Sequence, residues 1–347
     1  MPHRLLEAVH RRPLDRPPVW IMRQAGRYMP EFRAIRAKHD FLTVCKTPDL
    51  ATEVTLQPLN PDFGVGVDAA IIFSDILIPL EGMGMQVRFD DKGPHLDNPI
   101  RDVAAADRLV VPRAAETAHY VGEALAQVKE RLAGKVPLIG FAGAPWTLAA
   151  YMIEGGGSKN YSHIKGFMYN HPDAFHRMMD KVADTVIDHM VFQLESGADV
   201  VQLFESWGGV LSPRDFRTYA LPYSRKIIAG VKAATHKPVI LYMNGCGHVL
   251  EDLADAGADA IGIDWRVDLG EAFDRVGDRV AIQGNMDPCM LYAPIPQIEA
   301  EVRRLAAQVN GRPGHIFNLG HGILPDVPVA HARAFVDAVK ALEHAAV

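Results

Sequence analysis

Arg23 and Arg27 stand four residues apart in the segment Arg23-Gln24-Ala25-Gly26-Arg27-Tyr28. A guanidinium offers paired donors in one plane, which match a carboxylate or phosphate, so the pair suits an anion clamp. Glu31 and Asp75 are equally available as surface ion-pair partners. Asp75 follows the apolar run Ala69-Ala70-Ile71-Ile72-Phe73. A carboxylate there is solvated in the mouth of a site, paired with an arginine, or set to meet a cationic group. His321, between Gly320 and Gly322, suits a general acid, a hydrogen-bond donor or a satisfied core histidine. Tyr151 could present its phenol to a ligand or form part of an amphipathic helix core. Ser206 lacks a Gly-x-Ser-x-Gly setting and an adjacent base, which suits hydrogen bonding better than nucleophilic attack.

The elements that position these residues follow from hydrophobic patterning. Apolar, β-branched runs begin at Val19-Trp20-Ile21-Met22, Ala69 to Phe73, Leu138-Ile139-Gly140-Phe141 and Val200-Val201-Gln202-Leu203-Phe204. They continue at Val239-Ile240-Leu241-Tyr242, Ala260-Ile261-Gly262-Ile263, Val280-Ala281-Ile282-Gln283 and His315-Ile316-Phe317-Asn318-Leu319. Continuous apolar runs suit strands buried on both faces, and the segments between them are long enough for crossover helices. Eight such units predict a (β/α)8 TIM barrel, with a doubly wound open sheet as the alternative that gives the same local pattern. The repeated Gly-Ala-Asp before a strand, at Gly197-Ala198-Asp199 and Gly257-Ala258-Asp259, fits either. In a barrel, catalytic residues sit at the C-terminal ends of strands, and all the residues singled out above lie at or near such ends, Tyr151 on the helix that follows one.

A small insertion is expected between the second and third strands: a hairpin from Met85 to Phe89 through the turn Asp91-Lys92-Gly93, then a helix near Ala115 to Leu132. Pro145 predicts the first turn of a helix running to about Glu154. Gly155-Gly156-Gly157-Ser158-Lys159 then reads as a helix stop and turn, since it follows a helix and lacks the order of a phosphate loop. Domain organisation is expected to be a single catalytic barrel domain, residues 1–347.

Composition limits the partners. The chain has 347 residues, 48% of them hydrophobic and 22% charged, and its apolar runs are much shorter than the roughly 20 residues of a bilayer span. The first ten residues lack the apolar core of a secretory signal. A cytoplasmic protein, not bound to membrane, is the expectation. Its formal charge of −6, without basic runs interleaved with aromatics, argues against nucleic acid as a partner. Any anionic ligand must then be held by local arginines. Cys45, Cys246 and Cys289 are three, widely spaced, which fits reduced thiols rather than a disulfide framework. Gly245-Cys246-Gly247-His248 offers too few ligands for a closed zinc site.

Long segments of the chain resemble the uroporphyrinogen decarboxylase family. The two signature stretches are Pro18-Val19-Trp20-Ile21-Met22-Arg23-Gln24-Ala25-Gly26-Arg27-Tyr28 and Gly140-Phe141-Ala142-Gly143-Ala144-Pro145-Trp146-Thr147-Leu148. Phe73-Ser74-Asp75-Ile76-Leu77, Leu203-Phe204-Glu205-Ser206, Gly284-Asn285-Met286-Asp287-Pro288 and Asn318-Leu319-Gly320-His321-Gly322-Ile323 follow in the family's order. The resemblance implies a (β/α)8 barrel, usually a homodimer, whose small-molecule substrate is a tetrapyrrole. It implies removal of the four acetate carboxyls of uroporphyrinogen III, giving coproporphyrinogen III in heme biosynthesis, with no cofactor and no metal. The substrate-binding set it implies is Arg23, Gln24, Ala25, Gly26, Arg27, Asp75, Tyr151, Ser206 and His321, with Asp75, Arg23 and Arg27 catalytic.

Direct loss of carbon dioxide from a pyrrole acetate would leave an unstabilised carbanion. Protonating the adjacent ring carbon first creates a cationic electron sink, so the protein needs only acid–base groups and electrostatics. Asp75 is expected to accept the pyrrole N–H groups and stabilise the cation. Arg23 and Arg27 would hold carboxylates, one of them helping to deliver a proton, while His321, Tyr151 and Ser206 orient the ring. Two rivals remain in view. Relatives on the same barrel transfer methyl groups to thiols through zinc, using His-x-Cys near the fifth strand end and a later cysteine. Here that stretch is Asn244-Gly245-Cys246, and no cysteine follows Cys289. The other rival is a non-catalytic tetrapyrrole carrier using the same arginines.

Overall fold

In the computed structural model, residues 3–90 and 93–342 are described. Asp91 and Lys92 of the expected turn, and Met1 and Pro2 of the N-terminal stretch, lie outside the described residues. The strands are β1 (Ala70–Ile71), β2 (Val87–Asp90), β3 (Gly93–Leu96), β4 (Leu138–Gly143), β5 (Val200–Glu205), β6 (Val239–Met243), β7 (Ala260–Gly262), β8 (Ala281–Met286) and β9 (His315–Leu319). Seven of them form one parallel sheet in the order β1-β4-β5-β6-β7-β8-β9. This is an α/β fold with a curled parallel sheet, and it replaces the open-sheet alternative. β5, β6, β8 and β9 are buried along their whole length, because helices cover the outside of the sheet and its own curl covers the inside.

Side chains inside the curl bond across it. Trp20 Nε1 donates to Gln283 Oε1 at 2.9 Å, and Gln283 Nε2 donates to Gln202 Oε1 at 3.0 Å. Gln202 is on β5 and Gln283 on β8, three strands apart, so this bond crosses the interior.

The expected first strand is not a strand among the described residues. Val19 makes an isolated parallel bridge to Phe317, flanked by Phe317 N–H to Pro18 O at 2.9 Å and Trp20 N–H to Phe317 O at 3.2 Å. Pro18 has no N–H to donate, and the Met22 and Leu319 N–H groups are both taken by Asn318 Oδ1, at 2.9 and 2.8 Å, so the ladder cannot extend either way. On its other side the same segment meets the residue preceding β1: Asp68 N–H donates to Val19 O at 2.7 Å. The second run also pairs over less than its expected length. Phe73 N–H goes to Thr55 Oγ1 at 2.8 Å instead of to the neighbouring strand.

β2 and β3 pair antiparallel, Val87 opposite Leu96 and Asp90 opposite Gly93. The helix expected near Ala115 to Leu132 is two helices, Ala114–Thr117 and His119–Leu132. The helix predicted from Pro145 runs Pro145–Glu154 and stops at Gly155, whose φ of +85° is a left-handed cap.

The Gly-Ala-Asp repeat has a physical role. Asp199 N–H donates to Leu138 O while its carboxylate accepts the Leu138 N–H at 2.8 Å and pairs with Lys129. Asp259 treats Val239 in the same way at 2.9 Å and pairs with Lys232 at 2.8 Å. Asp68, after Gly66-Val67, is a third instance: it accepts the Val19 N–H at 2.9 Å and pairs with Arg16 at 2.7 Å. Each aspartate locks the first residue of one run to the start of the next.

Candidate active site

At the C-terminal end of the sheet lies a cavity of about 690 Å³, within the usual range for a small-molecule site. Arg23, Ala25, Gly26, Arg27, Asp75, Tyr151, Ser206 and His321 all line it. Residues from positions 23 to 321 thus meet in one space. Ile71, Phe73, Phe141 and Phe204 add an apolar stretch of wall, while Arg36, Asp40, Ser74 and Asp90 add polar groups to it; a largely carbon ligand needs the apolar stretch.

Arg23 and Arg27 follow the Val19 bridge directly. Arg23 adopts φ +65°, a left-handed conformation uncommon for a side chain with a Cβ, and a turn bonds Gln24 N–H to Ile21 O at 2.8 Å. Gly26 is required in this turn, because a Cβ there would sit 2.8 Å from the Arg23 carbonyl oxygen. Both arginines are exposed to the cavity side. Neither makes an ion pair among the described residues, so the surface salt bridge to Glu31 or Asp75 is not formed. Gln24 differs from its neighbours. It is fully buried, accepting from Ile21 and donating to Ala69 O at 2.9 Å, so it holds the turn from behind and does not line the cavity.

Asp75 Oδ1 accepts the Leu77 N–H at 2.8 Å. Burial pushes its pKa up to about 6, against the opposing pull of that amide and of the Arg23 charge. Tyr151 lies on the helix Pro145–Glu154, half-buried. Its pKa is raised by burial, with the Trp207 side chain pulling the other way, Asp75 raising it and Arg23 lowering it. His321 accepts the Gly322 N–H on Nδ1 at 2.7 Å, which leaves Nε2 as the donor. Burial first, then the charges of Arg23 and Arg266, push its pKa down to about 4. The imidazole is neutral near pH 7, which leaves hydrogen-bond donation and removes the proton reservoir of an imidazolium. Arg23 acts on Asp75, Tyr151 and His321 alike, which makes it the electrostatic centre of the group.

Sequence reasoning missed three residues. Arg36 lines the cavity from the last turn of the helix Pro30–Arg36 and adds a third cation to its wall; nothing in its spacing marked it. The Ser74 hydroxyl, also in the wall, has no partner among the described residues. Glu205, the last residue of β5, is 1% exposed, and burial pushes its pKa up to about 7; its position at a strand end was the available signal. Cys246 and His248 are engaged apart from one another. The Cys246 thiol faces Asp264 Oδ1 at 3.8 Å, and His248 Nε2 lies 2.9 Å from Leu211 O. Among the described residues, no three His, Cys, Asp or Glu side chains gather as a metal site.

A family model described as "Uroporphyrinogen decarboxylase (URO-D)" matches residues 2–342. Curated relatives include the uroporphyrinogen decarboxylase of Geobacter sulfurreducens, 49% identical over 342 residues and covering 99% of each chain. That of Chloroherpeton thalassium is 48% identical over 340 residues, 96% of each. Among solved structures, a methyltransferase from Methanosarcina mazei superposes with a TM-score of 0.81 at 21% identity, covering 97% of each chain. A B12-independent methionine synthase from Shewanella sp. W3-18-1 gives 0.53 at 12% identity, covering 84% of this chain and 87% of its own. At those identities the two structures share the fold alone.

Proposed function

The chain belongs to the uroporphyrinogen decarboxylase family, and from that premise we propose that the cavity is where a tetrapyrrole is bound and its four acetate side chains are decarboxylated. The protein is a carboxy-lyase of porphyrin and heme biosynthesis, converting uroporphyrinogen III to coproporphyrinogen III. One observation carries the site assignment: two arginines without ion-pair partners among the described residues share a cavity with a desolvated Asp75 and an apolar stretch of wall. A polyanionic macrocycle with a ring of N–H donors needs both features.

In this reading Asp75 accepts the pyrrole N–H groups and stabilises the ring cation formed when the carbon next to the acetate is protonated. The carbon–carboxylate bond then breaks, carbon dioxide leaves, and the electron pair collapses into the ring as an exocyclic double bond; a proton delivered to the methylene carbon completes the methyl group, and loss of the proton first added to the ring carbon restores the aromatic pyrrole. Arg23 and Arg27, joined by Arg36, hold acetate and propionate carboxylates, and Arg23 or Arg27 helps to deliver a proton. Tyr151, Ser206 and the Nε2–H of His321 orient the ring, Ala25 and Gly26 shape the wall, and Gln24 supports it from behind. A tetrapyrrole carrier would have no use for a desolvated carboxylate facing the ring nitrogens.

The finer architecture belongs to the same reading. Counting the Val19 bridge as a first strand gives a closed (β/α)8 barrel, a single domain over residues 1–347, with the β2–β3 hairpin and the helices before β4 as its insertion. It would act as a cytoplasmic homodimer. No described helix is long and apolar enough to cross a membrane.

Anaerobic incubation with uroporphyrinogen III, followed by chromatography of the oxidised products, tests the function. Coproporphyrin is the expected product. Tight binding without product would leave the carrier reading in its place.

A further inference from the structure

Glu205 ends β5 and the next residue, Ser206, lines the cavity, yet Glu205 itself does not. The Thr147 hydroxyl, also fully buried, donates to Glu205 Oε1. The same hydroxyl oxygen accepts the Trp207 N–H at 3.2 Å. Trp146 Nε1 donates to Trp207 O at 3.2 Å, and the Trp207 ring meets that of Tyr151 edge-on at 6.3 Å between centroids. Thr147 is one helical turn before Tyr151, on the same face. The chain Trp207 N–H to Thr147 Oγ1–H to Glu205 therefore ties the helix carrying Tyr151 to the turn carrying Ser206.

No room is left for slippage. A Cβ on Gly208 would sit 2.7 Å from Glu205 Cγ, so the turn closes directly on the glutamate. Glu205 Oε2 has no partner among the described residues. A buried polar atom in that state is costly and persists where the group's other contacts hold it.

We propose that Glu205 and Thr147 are positioning residues, setting the distance between Tyr151 and Ser206 across the cavity without touching the substrate. The inference rests on the proposed placement of the tetrapyrrole against those two side chains. The arginines grip carboxylates from a separate wall, so loosening the brace spares binding and misplaces the ring for proton transfer. Misplacement on the scale of an ångström reduces turnover by roughly tenfold to a hundredfold.

The test compares kcat and KM for Thr147→Val, Thr147→Ser, Glu205→Ala and Glu205→Gln, with far-ultraviolet circular dichroism and thermal melts as folding controls. Thr147→Val and Glu205→Ala should each lose at least about tenfold in kcat at nearly unchanged KM. Thr147→Ser, which retains the hydroxyl, and Glu205→Gln, which retains an acceptor, should recover most of it. The Thr147→Val, Glu205→Ala double variant should lose no more than either single one, as expected of one shared interaction. Folded Thr147→Val with wild-type kcat overturns the inference, as do losses that multiply. If Thr147→Val does not fold, Thr147→Cys replaces it as a near-isosteric weaker donor; a partial kcat loss supports the brace and wild-type kcat overturns it. Wild-type protein, Tyr151→Phe and Ser206→Ala run alongside. If the wild type makes no coproporphyrinogen, the functional reading fails; if it does, and only the brace variants are unaffected, this inference alone fails.

Discussion

Asp75 carries the sharpest trade-off between stability and function at the scale of single residues. Its carboxyl has a folded-state pKa of about 6 against an ordinary value of 3.8, raised chiefly by burial. The native state therefore binds this proton more tightly than the unfolded chain does. The penalty is absent below the ordinary value, grows as pH rises through the window between the two, and is complete above about 6. Asp75→Asn removes it, so at pH 8 the variant should be more stable by roughly 1–3 kcal/mol, read as a higher Tm. The same variant loses the anion that meets the ring cation, which should lower kcat by about 30-fold or more. A folded variant with near-wild-type turnover would remove Asp75 from the mechanism.

The same ionisation fixes a pH profile. In the wild type, log kcat/KM should rise with pH and level off above about 6, because the free enzyme needs Asp75 ionised. His321, pushed down to about 4, adds no step near neutrality. A profile flat from pH 5 to 8 would contradict this assignment of the limb. The residue types were legible in sequence because arginine and aspartate at the ends of apolar runs demand explanation. Glu205 stood at a strand end in the same way, but its burial was not legible, since that depends on helices that arrive from elsewhere in the chain.

At the scale of elements, the three aspartates that precede β1, β5 and β7 do a job that no propensity records. Each satisfies the first N–H of the preceding run and places a cation beside it. Asp199→Ala should leave the Leu138 N–H and Lys129 without their acceptor and destabilise the protein by about 1–3 kcal/mol. In a chain of this size that is a fall in Tm of several degrees. The catalytic end of the sheet is remote from this contact along β4 and β5, so kcat should stay near wild type below the melt. A large kcat loss with unchanged Tm would refute this structural role.

Two of the three aspartates were visible as a Gly-Ala-Asp repeat, and Asp68 was not because Gly66-Val67-Asp68 breaks the middle residue. Strand positions were likewise legible from apolar runs, whereas strand lengths were not. Thr55 taking the Phe73 N–H, and Asn318 taking that of Met22, are tertiary choices that local pattern cannot contain.

For the molecule as a whole, the contacts that join the two outer strands of the sheet to the Val19 segment also build the cavity wall. The Pro18–Trp20 stretch lies between β9 and the residue before β1, bonded to Phe317 on one side and Asp68 on the other. Immediately beyond it, Met22 N–H donates to Asn318 Oδ1 at 2.9 Å and Ile323 N–H to Met22 O at 2.9 Å. These bonds set Arg23 beside Gly322, where a Cβ would lie 2.8 Å from Arg23 Cγ and Nε. The two ends of the chain thus fix the arginine wall against His321. Asp68 anchors the Val19 segment, pairing with Arg16 at 2.7 Å while both side chains are largely buried. Asp68→Ala leaves Arg16 and the Val19 N–H unpaired together, which should destabilise by about 2–4 kcal/mol. Unlike Asp199→Ala, it should also raise KM below the melt, because the segment it anchors leads directly into the arginines proposed to hold carboxylates. Paired measurements of Tm and KM on the two variants separate a loss of the Val19 anchor from a loss of strand capping; equal KM values in both would sever the link between that anchor and the arginine wall.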